Sequence, residues 1–246
     1  MTSAGEYTER LAAARERVTR AAEDAGRDPG DVRILLASKT QPASAVRAAL
    51  EAAAELALPV LLGENRVQEL VAKAPELADL APTWHLIGPL QSNKVNHTLA
   101  WAHGIESVAS LELAERIARR AGATDRTVDV FVQVNVSGEE SKSGVDPADA
   151  AALAAQVAAL GAIRLRGFMT IGANTPEAAV VQEGFATLRA LRDGVVASGA
   201  PGTESANELS MGMSGDLELA VAEGATIVRI GTAVFGARPA GPTAAE

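Results

Sequence analysis

The sequence predicts a (β/α)8 barrel of the TIM type with an extra N-terminal helix, and three observations predict it. Apolar runs of β character alternate with Ala-rich segments of helical period; eight such runs fit into about 210 residues; and the alternation nowhere pauses for a linker. At 246 residues the chain is long for one small domain and short for two large ones, so one domain over residues 1–246 is expected, with the barrel from about 30 to 238.

The first element is a helix over about residues 4–25. Leu11, Ala14, Val18 and Ala21 recur at spacings of three and four, and Gly26 and Pro29 end it. Eight strands follow: Val32–Ser38, Pro59–Gly63, Thr83–Gly88, Gly104–Ala109, Thr127–Val136, Ile163–Ile171, Glu208–Met211 and Thr226–Phe235. The Ala-rich stretches Ala43–Ala54 and Ala148–Ala159 read as helices packing closely around the barrel. The second and seventh runs are short, and the fourth, GIESVAS, also suits a loop, which leaves a doubly wound open sheet of six or seven strands as the alternative. Neither a G-x-G-x-x-G after the first strand nor a G-x-x-x-x-G-K-[ST] is present.

Composition narrows the function. Aromatic residues make up 3% of the chain, so Ala, Val, Leu and Ile must build the core, and the formal charge of −9 has the wrong sign for a nucleic-acid partner. Without cysteine there is no disulfide framework, thiolate nucleophile or Cys-based metal site. The charged N-terminus lacks a signal's apolar stretch, and no 18-residue apolar run occurs; a cytoplasmic chain away from membranes is expected. His85, His97 and His103, the only histidines, do not have metal-ligand spacing, so no metal is expected. Glu139-Glu140 reads as a solvated turn, since adjacent carboxylates on a loop point apart.

Chemistry in such a barrel gathers where the strands end. Lys39 directly follows the apolar run Ile34-Leu35-Leu36-Ala37 in a chain with four lysines and 18 arginines, so a retained lysine hints at a need for an amine. A partly desolvated amine there is a nucleophile toward aldehydes; the plain alternative is a lysine reaching from a strand end to solvent. The loops after strands seven and eight, Ser210-Met211-Gly212-Met213-Ser214-Gly215-Asp216 and Gly231-Thr232, bring hydroxyls and glycines to one end, where barrels of this class often hold phosphate. Ordinary helix capping by Ser-Gly-Asp explains part of that pattern equally well. Arg229 stands in an otherwise apolar strand and needs either a structural partner or a ligand atom to receive its hydrogen bonds.

These segments, with Gly63-Glu64-Asn65, the string WH-x-IGPLQSNK at Trp84–Lys94 and GEESKSG at residues 138–144, resemble the pyridoxal phosphate homeostasis proteins, which are themselves similar to the N-terminal barrel of alanine racemase. The likeness runs from about residue 30 to 238. It implies a protein that binds pyridoxal 5′-phosphate (PLP) through a Schiff base on Lys39, with Arg229 at the pyridine nitrogen and Ser210, Gly231 and Thr232 at the phosphate. Asn65, His85 and Ser214 would stand beside the ring or one step behind it. Family members commonly read F-G-E-N-Y where this chain has Leu62-Gly63-Glu64-Asn65-Arg66, so the pocket wall near Arg66 departs from the pattern.

The implied role is cofactor storage, buffering or delivery by a monomer, with PLP-dependent apo-enzymes as candidate recipients and no substantial amino-acid turnover. Two alternatives stay open: a PLP enzyme such as an amino-acid racemase, and a cofactor-free enzyme that uses Lys39 as an aldolase-type Schiff-base lysine. A racemase needs two bases on opposite faces of its substrate. The only tyrosine, Tyr7, lies in the N-terminal helix and makes a poor second base.

Overall fold

The computed structural model describes residues 4–139 and 143–236. Eight parallel strands follow one another around a closed barrel: β1 Arg33–Ala37, β2 Val60–Glu64, β3 Trp84–Leu86, β4 Gly104–Val108, β5 Val128–Gln133, β6 Ile163–Met169, β7 Glu208–Ser210 and β8 Ile227–Ile230. The ring closes where β8 pairs with β1, Leu35 opposite Arg229 and Leu36 opposite Ile230. The open-sheet alternative is thereby ruled out, and the first five residues of GIESVAS are strand.

Outside the barrel lie α1 Ala4–Asp24, α2 Ala43–Glu55, α3 Val67–Lys73, α4 Val95–Leu99, α5 Leu111–Gly122, α6 Pro147–Ala158, α7 Ala178–Ala197, α8 Leu217–Ala222 and α9 Thr232–Phe235. Four strands end two or more residues earlier than the sequence suggests, β3 among them at Leu86. β8 stops at Ile230, and the apolar run Thr232–Phe235, expected as strand, is the short helix α9; four apolar residues carry too little periodicity to separate the two states. β5 gives way after Gln133 to an isolated bridge between Val134 and Val145, and β6 ends at Met169. Of the GEESKSG string, Glu140, Ser141 and Lys142 lie outside the described residues.

Alternation along each strand divides the apolar residues into two cores. Leu35, Leu61, Phe131, Met169 and Ile227 fill the barrel interior with Ile87 against them, while Ile34, Leu36, Leu62, Val130, Val132, Phe168, Val228 and Ile230 face the helices. The N-terminal end of the barrel is closed by charge: Glu208 accepts from both Arg33 and Arg166, and Asp129 accepts from Arg164 at 2.7 Å. Ligand chemistry is thus left to the opposite mouth.

Close strand contact requires Gly167. Its φ of +152° is a value side-chain-bearing residues rarely adopt, and a Cβ there would fall 1.8 Å from the Glu208 carbonyl oxygen. Gly167→Ala is therefore expected to cost about 3 kcal/mol, the upper end of ordinary overpacking, by pushing β6 from β7. Chemical denaturation reads this directly, and a loss under about 0.5 kcal/mol, the usual surface-substitution range, would contradict it.

The added helix α1 is tied to the mouth. Tyr7 meets Phe235 edge-on, Arg10 donates to the Val234 carbonyl at 3.1 Å, and Arg17 donates to the Ser214 carbonyl at 2.7 Å while gripping Glu218 through both carboxylate oxygens. Both loops expected to carry phosphate contacts are thus pinned from outside. Among the described residues no helix is long and apolar enough to cross a membrane.

Candidate functional site

Lys39 sits where β1 gives out. The alternation that turns Leu35 into the barrel carries Lys39 to the same side, half-buried at the mouth. Its chain neighbours are held firmly. Ser38, fully buried, donates its hydroxyl to Glu64 Oε1 at 2.7 Å, and its carbonyl accepts from Lys73 Nζ at 2.9 Å. Thr40 takes a left-handed φ of 65°, and its amide donates to Glu69 Oε2 at 2.7 Å. Lys73 also reaches Glu64 Oε1 at 2.6 Å and Glu69 Oε2 at 3.1 Å. Burial pushes the Glu64 carboxyl above its ordinary value, against the pull of Lys73 and Ser38, and its Oε2 is buried with no hydrogen-bond partner.

Across the barrel runs a second buried chain. His85 Nδ1 meets Glu106 Oε1 at 2.6 Å, and Ser210 donates its hydroxyl to Glu106 Oε2, also at 2.6 Å. Arg229 Nη1 donates to the Ser210 carbonyl at 2.7 Å and hydroxyl at 2.9 Å, and Nη2 donates to the Thr170 carbonyl at 2.7 Å. Burial alone would raise the Glu106 pKa; the hydrogen bond and charge of His85, the charge of Arg229 and the Ser210 hydroxyl outweigh it and hold the carboxyl below the usual carboxylate range. Burial pulls Arg229 below its ordinary value, with Glu106 and Asp216 opposing, yet a guanidinium does not lose its proton in proteins. Gly104 leaves the space that the imidazole fills, since a Cβ there would lie 2.8 Å from His85 Nε2.

The expected site residues thus separate into groups. Lys39 follows β1 half-buried, while His85 on β3 and Arg229 on β8 are buried in the adjoining network. Ser214 is half-buried, Gly231 likewise, and Thr232 is exposed beside them; Gly231 abuts the end of β1, where a Cβ would lie 3.3 Å from the Ala37 carbonyl oxygen. The first turn of α9 leaves backbone N–H groups without helical partners next to these hydroxyls. Ser210, expected at the phosphate, is fully buried as the last residue of β7, donates its hydroxyl to Glu106 and accepts from Arg229. Asn65 lines a 520 Å³ hollow with Arg66, Gln91 and Lys94, away from the β6–β8 side.

Sequence reasoning missed Glu106, Lys73 and Glu69, and gave Glu64 no role beyond its place in the Gly63-Glu64-Asn65 string. Glu106 carries the same signal as Arg229, a charge inside an apolar strand, and the two belong to one network. Lys73 had a weaker signal, the scarcity of lysine, because the end of a helix is ordinarily solvent-facing.

A closed β/α barrel with a lysine after its first strand and a buried arginine in its last belongs to a recognisable class: the family model described as "Alanine racemase, N-terminal domain" matches residues 10–239. The chain is a member of the pyridoxal phosphate homeostasis protein family within that class. It is 45% identical over 236 residues to the "Pyridoxal phosphate homeostasis protein" of Pseudomonas aeruginosa, covering 96% of this chain and 97% of that one. Among solved structures, a protein of unknown function from Bifidobacterium adolescentis is 47% identical with a TM-score of 0.89, over 94% of this chain and 95% of that one. PipY of Synechococcus elongatus, solved with PLP bound, is 40% identical with a TM-score of 0.80, over 94% of this chain and all of that one.

Proposed function

We propose that this protein binds PLP at the barrel mouth, holds it through Lys39, and serves to store, buffer or deliver it to PLP-dependent apo-enzymes in the cytoplasm, without turning over amino acids. The observation that carries the reading is the donor set. A half-buried amine, a buried guanidinium with N–H groups to spare, and a cluster of hydroxyls and unpaired amides converge on one end of the barrel. Those are the groups that an aldehyde, a ring nitrogen and a phosphate require. PLP supplies an aldehyde for a lysine amine to condense with and a ring that draws electrons from whatever is attached there.

In this reading Lys39 provides the amine, and Arg229 donates to the ring nitrogen, keeping it unprotonated because an arginine does not give up its own proton. Ser214, Thr232 and the Gly231 backbone receive the phosphate, while Ser210 and Glu106 fix the guanidinium from behind. His85 borders the ring, and Asn65 lines the outer wall. All these groups belong to a single chain, so a monomer suffices.

The absence of turnover is supported by the state of each candidate second base. Tyr7 is buried in α1 against Phe235, His85 has its Nδ1 on Glu106 and its Nε2 packed against Gly104 in the barrel wall, and Glu64 is fully buried with Oε1 held by Lys73 and Ser38. A missing general base typically removes about 10²–10⁴ in rate. PLP-loaded protein mixed with alanine, serine or glutamate is expected to stay far below the roughly 1–10³ s⁻¹ usual for enzymes. Turnover of about 1 s⁻¹ or faster that disappears in Lys39→Ala would overturn the reading in favour of a PLP enzyme.

The phosphate contacts are tested by comparing PLP with pyridoxal, which lacks the phosphate. Pyridoxal is expected to bind far more weakly. Thr232→Val should narrow the gap by weakening PLP alone, a lost charge-assisted hydrogen bond being worth about 1.5–3 kcal/mol. Equal affinity for the two vitamers would sink the assignment.

A further inference from the structure

We propose that Lys73 and Glu69, with Glu64 behind them, are positioning residues that fix the direction in which Lys39 enters the mouth; the inference rests on Lys39 being the PLP lysine. Lys73 ends α3 with only 7% exposure, and a buried ammonium is costly unless fully paired. Here it is paired three ways, and what those partners have in common is their place in the chain. Ser38, immediately before Lys39, is held by its carbonyl to Lys73 and by its hydroxyl to Glu64; Thr40, immediately after, is held by its amide to Glu69. One ammonium joins both carboxylates, so the residues on either side of Lys39 are bolted to the β2–α3 unit as one piece.

The backbone gives a reason for such a device. Thr40 adopts a left-handed φ, which a β-branched residue seldom takes without support, and its amide is directed at Glu69 Oε2. Released from that acceptor, the turn would relax toward an ordinary conformation, and Lys39 would leave β1 on another heading. A nucleophile serves only when held near its target's line of attack, so the turn matters to the amine as well as to the fold.

Glu69 makes the better test, because its side chain is 24% exposed and its loss spares the buried core. In Glu69→Gln the amide oxygen still accepts from Thr40; in Glu69→Leu nothing does. Two quantities are measured in the full-length protein: hydrogen exchange of the Thr40 amide without PLP, and the rate at which added PLP becomes fixed to Lys39 by borohydride, read by peptide mapping. Glu69→Leu is expected to speed exchange and slow fixation, each about tenfold or more, as the loss of a charge-assisted hydrogen bond implies, while Glu69→Gln stays within about threefold on both. Lys73→Met should act in the same direction as Glu69→Leu. A purely structural role would lower the melting temperature of the variants yet leave the fixation rate alone. Fixation on Lys39 at the parental rate in Glu69→Leu overturns the proposal. If the parent protein itself fixes no PLP on Lys39, the cofactor reading fails instead, and Thr40 exchange decides the clamp alone: faster exchange in Glu69→Leu upholds it, and unchanged exchange overturns it.

Discussion

Lys39→Ala is expected to lose the covalent hold on PLP and to release at least tenfold more of it on gel filtration than the parent protein does, while the fold stays intact. An amine adding to an aldehyde supplies a bond that the remaining contacts, the Arg229 guanidinium and the phosphate donors, do not replace. The change is mild for the fold, since Lys39 is only half-buried at a strand end and Ser38 and Thr40 keep their own partners. Absorbance near the visible edge, followed through the column, separates held from released cofactor. Retention equal to the parent would mean that Lys39 is not the holding residue.

Glu106→Leu is expected to be the most damaging change to stability, at about 3–5 kcal/mol, the usual cost of removing one member of a buried charged network. The loss strands His85 Nδ1 and the Ser210 hydroxyl, and it takes from Arg229 the stronger of its two counter-charges, leaving Asp216 alone. The milder Glu106→Gln carries a pH signature. The Glu106 carboxyl is depressed in the folded state, so its stabilisation is complete above the ordinary carboxylate range and fades as the pH falls through the folded-state value below that range. The stability gap between parent and Glu106→Gln, measured by denaturant titration, should therefore shrink in acid. A gap that widens as pH falls would contradict the assignment.

The barrel was legible because its signal is repeated eight times: each strand run but the last is followed by a helical stretch or a helix start, so one doubtful run such as Gly104–Ala109 did not change the count. Strand ends were less legible. Thr232–Phe235 reads as strand by composition, and only the break at Gly231 turns it into α9. Within the site, Lys39 and Arg229 stood out because each breaks an apolar run. Glu106 breaks one too, but in a segment that also suited a loop, where a charge needs no partner. The burial of Ser210 was not legible: it belongs to a glycine-rich string that reads as an exposed loop, whereas the pairing of β7 with β6 draws it into the interior. The clamp of Lys73, Glu69 and Glu64 on the Ser38–Thr40 backbone lies beyond any periodicity, since the packing of α3 against the barrel creates it.

The central claim is that one lysine holds the cofactor. Borohydride reduction of PLP-loaded parent protein, followed by proteolysis and peptide mapping, tests it most directly, because the chain offers only Lys39, Lys73, Lys94 and Lys142 as attachment points. The account predicts a pyridoxyl group on Lys39 at close to one per chain, with the other three peptides essentially unmodified. A group found chiefly on Lys94 or Lys142 would contradict it.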